Sequence, residues 1–182
     1  VGTYLETRFT GGKLSVKVSE TGTSYYNVFV DGKLHKVVKV CGTDTLIHLV
    51  SGIDKRIHSL KIQKRSEGEF GKTTVHQFVL SGSGRLAEEL AVRTRHIEFI
   101  GNSLTCGYGT DGKHRDEPFL VETENCNLTF ASMVARYYDA DYTLIAHSGR
   151  GAARNYGDSV RVSKVTMKDR MLNTFDEDLT HK

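Results

Sequence analysis

The first eighty residues alternate between short patterned stretches and turn residues. Apolar and polar residues alternate with period two, as in half-buried strands, at 14–18, 46–50, 57–62 and 75–80. A further β-rich run at 25–34 contains Asp31-Gly32, a strong signal for a two-residue hairpin turn. Short strands at a spacing of about ten residues predict an antiparallel sandwich or jelly roll.

The pattern changes after Ser81-Gly82-Ser83-Gly84. Residues 96–101 form a short apolar run that leads directly into a Gly-rich stretch. Residues 122–138 place apolar side chains three and four positions apart, which predicts a helix. A second apolar run at 142–146 then ends at His147. This order of strand, loop, helix and strand predicts a βαβ unit with a parallel sheet.

The loops that follow the two apolar runs are the expected place for chemistry. In open parallel sheets, ligands bind in the crevice beyond the carboxyl ends of the strands. The loops 101–112 and 147–157 both emerge at that edge of the predicted sheet.

Composition removes several classes of protein from consideration. The chain has 182 residues, 38% apolar and 26% charged, which is typical of a globular protein. The 25 basic and 22 acidic residues give a net charge of +3, too balanced for an electrostatic nucleic-acid or membrane binder. No apolar run reaches the roughly 18 residues of a membrane helix. We therefore expect neither nucleic acid nor membrane as a partner.

Three cysteines, Cys41, Cys106 and Cys126, are too few for a disulfide framework, and no C-x-x-C pair occurs. Cys41 is expected to be a buried free thiol. Cys106 and Cys126 both flank the motif described next, and whether they pair depends on whether the protein is exported.

The segment Phe99–Gly109 reads Phe-Ile-Gly-Asn-Ser-Leu-Thr-Cys-Gly-Tyr-Gly and carries the clearest candidate chemistry. Gly101 allows a sharp turn after the strand, so that Ser103 is presented at the strand end. A following helix N-terminus would direct free backbone N–H groups toward developing negative charge. Those are the needs of a nucleophile in acyl transfer, although the same letters also fit an ordinary Gly-Ser turn.

The stretch Ile97–Gly109 resembles the first block of SGNH (GDSL-type) hydrolases, and more narrowly of carbohydrate esterase family two, the acetyl xylan esterase-like deacetylases. Further stretches carry the same resemblance: Glu124-Asn125, Ser148–Gly151, Asn155–Gly157, Glu6–Gly11 and Tyr26–Gly32. The resemblance implies a β-sandwich (jelly-roll) domain over residues 1–84. It also implies the N-terminal part of an α/β SGNH-hydrolase domain, flavodoxin-like with a parallel sheet, over residues 85–182.

The resemblance also implies roles for individual residues. Ser103 matches the catalytic nucleophile, and its own backbone N–H matches one oxyanion-hole donor. Gly149 matches the glycine of the second block, whose N–H is another donor. One departure stands out, because the first block usually reads Gly-Asp-Ser and here Asn102 replaces the aspartate. Asn keeps a local hydrogen bond but carries no charge.

Two elements of the family pattern are missing from the chain. The Gly-Thr-Asn-Asp-like block that supplies a third oxyanion donor does not occur. Asp178-Leu179-Thr180-His181 matches the Asp-x-x-His pattern of the catalytic base by letter, but we interpret it as a coincidence in a charged terminal stretch. His147 is expected to be an ordinary strand-end residue, and His114 a solvated one.

The remaining histidines are expected on the polar faces of the sandwich strands. They are His35, His48, His58 and His76.

Because neither the catalytic base nor the third oxyanion donor is identified in the sequence, we expect the α/β domain to be incomplete in this chain. The catalytic His and the Asn donor are then expected beyond Lys182, in the gene or in a second polypeptide.

The favoured hypothesis is a secreted or periplasmic carbohydrate O-acetyl esterase that uses a serine acyl-enzyme mechanism, with no metal or other cofactor. Its expected partners are an acetylated oligo- or polysaccharide and the remaining part of the α/β domain. The alternative is a non-catalytic glycan-binding module with a degenerate hydrolase half. A third hypothesis is a flavodoxin-like anion or nucleotide site at the first loop.

Overall fold

The computed structural model describes residues 1–88, 91–173, 178 and 180. The chain divides into two compact units, each of which is discontinuous in sequence. The sandwich unit consists of Tyr4–Lys64 and Phe70–Val92, and the α/β unit of Val1–Thr3, Arg65–Glu69 and Arg93–Lys182. The predicted domain boundary between residues 84 and 85 stays a prediction.

Antiparallel strands build the sandwich unit. They are β1 (Tyr4–Thr10), β2 (Lys13–Glu20), β3 (Thr23–Val30), β4 (Lys33–Cys41), β5 (Thr45–Ser51), β6 (Ile57–Lys64), β7 (Thr73–Ser81) and β8 (Arg85–Leu86). One sheet has the order β4-β3-β6-β1-β8, and the other has the order β5-β2-β7. Every pairing within the two sheets is antiparallel.

The two sheets share one apolar core, which is why their strands alternate. In β2 the side chains of Leu14, Val16 and Val18 are buried, whereas the residues between them are partly exposed. Buried residues of the other sheet, such as Phe9 and Val28, belong to the same cluster. The predicted antiparallel two-sheet arrangement agrees with this structure, and the narrower description as a jelly roll stays a prediction.

The α/β unit contains the parallel strand pair that the sequence predicts. Strand β9 (His96–Gly101) pairs in parallel with β10 (Asp141–Ala146). The helices of this unit are α1 (Ser103–Cys106), α2 (Phe130–Tyr137) and α3 (Met167–Arg170). In the described part of the chain, no helix is both long and apolar enough to cross a membrane.

The prediction of one helix over residues 122–138 is wrong in its first half. Short 3₁₀ turns occupy Val121–Thr123 and Cys126–Leu128, and α2 begins only at Phe130. The backbone between the turns is extended at Glu124 and Asn125. The Asn125 side chain accepts a hydrogen bond from the Asn127 N–H (3.2 Å), a local bond that competes with helix. Apolar spacing alone did not reveal this competition.

Candidate active site

The two loops of interest leave the same edge of the parallel strand pair. In the register of β9 and β10, Gly101 lies opposite Ala146, so both strands end at the same level. The His147 N–H donates to the Gly101 carbonyl at 3.4 Å and extends this pairing by one step. The segments that carry Ser103 and Gly149 therefore start side by side, where parallel sheets place their ligand sites.

Ser103 is the first residue of α1, directly after the strand end. Asn102 is the N-cap of this helix in an extended conformation, and its side-chain oxygen accepts from the Leu104 N–H at 3.2 Å. This is the ordinary capping role of Asn, which satisfies a backbone N–H that the helix leaves unpaired. Position 102 thus keeps a structural hydrogen bond without the charge of an aspartate.

Glycines on either side of the serine allow close packing of this loop. A Cβ at Gly101 would lie 2.1 Å from Thr105 Oγ1, so no side chain fits there. Gly107 ends α1 in the left-handed region (φ 85°), and a Cβ there would lie 2.4 Å from the Asn125 carbonyl atoms. The Asn125 N–H donates to the Gly107 carbonyl at 2.9 Å. The loop after Ser103 is thus fixed against the segment that precedes α2.

The second loop turns immediately after β10. Gly149 has a φ of 74° and is exposed, and its carbonyl accepts from the Tyr156 N–H at 2.8 Å. Buried Asn155 supports the same loop: it accepts from the Gly151 N–H (3.2 Å) and donates to the Val165 carbonyl (2.8 Å). Within the described residues, the backbone N–H groups of Ser103 and Gly149 donate to no protein acceptor.

A carboxylate that the sequence did not single out lies behind the second loop. Glu67 is fully buried, and its Oε2 accepts from the Ser148 N–H at 2.7 Å. Its Oε1 accepts from the Ser148 hydroxyl. The residue directly before Gly149 is therefore held through both its backbone and its side chain.

Two more buried groups surround Glu67. Glu124 accepts from the Glu67 N–H at 2.8 Å, and burial, reinforced by the neighbouring Glu67, raises the pKa of Glu124 to about 9. Burial also raises the pKa of the Cys106 thiol. Ligand atoms of Glu67, Cys106 and Glu124 lie within 4.8 Å of one another, close enough for one metal ion to contact all of them. Carboxylate and thiol together are a mixed hard and soft donor set, which singles out no one metal.

Arg65 ties this segment to the chain before α2. The guanidinium group is 2% exposed and pairs with Asp111. It also donates to the carbonyls of Glu124 (2.7 Å) and Glu122 (3.1 Å). Asp111 in turn accepts from the Asn125 amide at 3.0 Å. A buried arginine with charged and carbonyl partners is satisfied and rigid, so the 65–69 segment is firmly placed in the α/β unit.

One of the expectations for the cysteines is wrong. Cys41 is exposed rather than buried, because it is the last residue of β4, at the edge of its sheet. Cys106 and Cys126 are both buried and form no disulfide, so the pairing that the sequence left open is not made.

The histidines also need one correction. His58 is buried (4% exposed), not on a polar face. Its Nδ1 lies 2.7 Å from Asp31 and its Nε2 3.0 Å from Asp54. These hydrogen bonds offset the free-energy cost of burying the polar ring nitrogens. In the α/β unit, His147 is buried, with Nε2 3.6 Å from Glu69. His181 lies outside the described residues.

The sequence indicated Ser103 and Gly149, whose roles stay a prediction, but it did not indicate Arg65 and Glu67. The only sign of these two residues in the sequence was a basic and an acidic residue on either side of Ser66, shortly after a predicted strand. Charged residues at such a place are mostly solvated, so nothing local indicates that these side chains are buried.

A serine at a strand end and a helix start, beside a glycine-containing loop on parallel strands, is placed where α/β proteins bind their ligands. Comparisons narrow this class to a family. Residues 1–89 match the family model described as carbohydrate esterase 2 N-terminal. The resemblance to carbohydrate esterase family two is therefore confirmed, and residues 1–89 are similar to the N-terminal domain of that family.

Individual relatives extend the similarity beyond residue 89. The cellulase/esterase CelE of Acetivibrio thermocellus is 35% identical over 156 residues, 86% of this chain and 19% of that protein. An acetylxylan esterase / glucomannan deacetylase of Cellvibrio japonicus is 31% identical over 179 residues, 96% of this chain and 48% of that protein. This chain thus spans about half, or less, of the length of these relatives.

A solved structure shows the same relation. A family two carbohydrate esterase from Clostridium thermocellum, in complex with cellohexaose, is 32% identical with a TM-score of 0.89. The alignment covers 96% of this chain and 53% of that one. The agreement of fold therefore includes both compact units.

Proposed function

We propose that this chain is part of a carbohydrate O-acetyl esterase in which Ser103 is the nucleophile. The observation that carries the proposal is the placement of Ser103 at the first position of α1, beside the Gly149 loop and at the carboxyl edge of the parallel strands. The names of the relatives, which include an acetylxylan esterase, support the substrate class.

In the proposed reaction, Ser103 Oγ attacks the acetyl carbonyl carbon while a general base takes the hydroxyl proton. The tetrahedral intermediate collapses, the bond to the sugar oxygen breaks, and the sugar hydroxyl leaves with that proton. Water then hydrolyses the acetyl-Ser103 ester, releases acetate and restores the serine. Within the described residues, Ser103 Oγ has no hydrogen bond to a histidine, so the base stays unassigned.

The oxyanion of the intermediate would be bound by the backbone N–H groups of Ser103 and Gly149. Both groups lack a protein acceptor among the described residues, as donors reserved for a ligand must. In well-studied enzymes each such donor is worth roughly 3 kcal/mol of transition-state stabilisation. Asn102 contributes by capping α1 and so fixing the Ser103 backbone.

The proposal extends to substrate and location. The expected substrate is an acetylated oligo- or polysaccharide, and a protein that meets such a polymer would be secreted or periplasmic. The proposed mechanism needs no metal, so turnover is expected to survive treatment with EDTA. A loss of turnover in EDTA, restored by a divalent cation, would contradict this part of the proposal.

Turnover of p-nitrophenyl acetate by the full-length product of the gene tests the proposal. We expect Ser103→Ala to abolish turnover and Ser51→Ala, an exposed serine at the end of β5, to leave it unchanged. Acetate release from acetylated xylan and glucomannan should follow the same pattern. Binding of these glycans without any turnover would instead favour the non-catalytic glycan-binding module.

A further inference from the structure

The loop that carries Gly149 has an anchor on each side. On the N-terminal side, Glu67 accepts from the Ser148 N–H at 2.7 Å and from the Ser148 hydroxyl. On the C-terminal side, the Gly149 carbonyl accepts from the Tyr156 N–H at 2.8 Å. The Gly149 N–H lies between these anchors and has no protein acceptor in the described part of the chain.

A glycine cannot hold such a geometry by itself. Gly149 has a φ of 74°, and a Cβ there would meet no heavy atom within 4 Å, so packing does not restrict it. Glycine has the widest choice of backbone conformations of any residue, so the direction of its N–H must be fixed by its neighbours. The peptide that bears this N–H begins at Ser148, the residue that Glu67 holds.

Glu67 is itself rigidly placed. It is fully buried, and its backbone N–H donates to Glu124 Oε2 at 2.8 Å. Arg65, two residues earlier, is held in two ways. Its backbone carbonyl accepts from the Cys126 N–H at 3.4 Å, and its guanidinium group donates to the Glu124 carbonyl at 2.7 Å. Hydrogen bonds to a buried carboxylate are stronger than those between neutral groups. The anchor is therefore stiff enough to set the loop.

We propose that Glu67 is a positioning residue for the oxyanion hole: its carboxylate holds Ser148 so that the Gly149 N–H points at the reacting carbonyl. This inference rests on the proposed esterase function. Glu67 touches neither substrate nor nucleophile in this account and acts only through Ser148. It lies in the 65–69 segment, within the N-terminal family match, and yet serves the α/β site.

Steady-state kinetics of the full-length gene product test this role. Loss of an oxyanion donor lowers kcat by roughly 100-fold or more. We expect Glu67→Ala to lower kcat by about 100-fold with KM changed less than about 3-fold, because the ground-state ester gains little from this donor. Glu67→Gln keeps an oxygen for the Ser148 N–H and should recover to within about 10-fold of wild type. Glu88→Ala removes an exposed acid of the sandwich unit and should leave both parameters unchanged.

A double-mutant cycle separates positioning from general damage. Ser148→Ala removes one of the two donors that Glu67 holds and is expected to lower kcat by a few-fold. If both act through one contact, Glu67→Ala/Ser148→Ala should be no slower than Glu67→Ala alone. Additive losses, or a KM effect larger than the kcat effect, would overturn the inference.

The outcomes also distinguish this inference from the function on which it rests. If Ser103→Ala keeps wild-type turnover, the proposed nucleophile is wrong. If Ser103→Ala is inactive but Glu67→Ala keeps wild-type kcat, only the role of Glu67 is wrong. Should Glu67→Ala fail to fold, the kcat values of Glu67→Gln, Ser148→Ala and their double mutant still test the role of Glu67. A wild-type kcat in all three variants would contradict that role.

Discussion

Buried Glu124 predicts an unusual dependence of stability on pH. Burial, reinforced by Glu67, raises its pKa from the ordinary 4.5 to about 9. Between these values the folded protein keeps a proton on Glu124 that the unfolded chain has lost. The folded state then binds more protons than the unfolded state, so the free energy of unfolding falls as pH rises.

Glu124→Gln removes the ionisation and keeps the shape of the side chain. The stability of the variant relative to wild type should therefore increase by about 1.4 kcal/mol for each pH unit between roughly pH 5 and 9.

Urea unfolding of both proteins at each pH from 5 to 9 measures this difference. Glu98→Gln, an exposed acid, is the matched control and should show a constant difference from wild type. A constant difference for Glu124→Gln as well would refute the reasoning, because it would mean that Glu124 ionises as easily in the folded protein as in the unfolded chain.

Three further predictions concern other parts of the fold. The hydrogen bond to Asp31 raises the pKa of His58. The free energy of unfolding of wild type should therefore exceed that of His58→Gln most below pH 6.5, and this difference should decline at higher pH, as measured by urea unfolding. Gly107→Ala should destabilise by more than about 2 kcal/mol, since a left-handed φ alone costs about 1–2 kcal/mol and the new Cβ meets Asn125. Gly109→Ala has a similar φ and open space, and equal losses in thermal melts would contradict the steric argument. In this 182-residue chain, Ellman's reagent should react fast with one thiol of the native protein, and this reaction should be lost in Cys41→Ser. After denaturation, all three thiols of the chain should react. Fast reaction of the buried cysteines in the native protein would contradict their placement.

The sequence predicts well those elements whose pattern is local. Strand β9 has the predicted bounds, and the Asp31-Gly32 hairpin forms with both residues at positive φ (51° and 75°). Period-two alternation works in β2 because one face of that strand is buried and the other is not.

The predictions fail where partners distant in sequence decide the structure. The start of α2 is delayed because the backbone before it is held by Asn125 and by Arg65, a residue far upstream. Glu67 looks like a surface acid by its letters and is fully buried because Ser148, 81 positions later, supplies its donors. Ser103 and Gly149 were found from motif resemblance, and their role stays a prediction.

Detection of an acetyl group on Ser103 tests the proposed acyl-enzyme mechanism most directly. The full-length gene product would be mixed with an acetyl ester, quenched in acid within milliseconds, digested and examined by mass spectrometry. We expect acetylation of the peptide that contains Ser103, in step with ester cleavage, and none in Ser103→Ala. Turnover with the acetyl group on a different residue would contradict the proposed role of Ser103. So would the absence of any acetylated peptide together with undiminished turnover in Ser103→Ala.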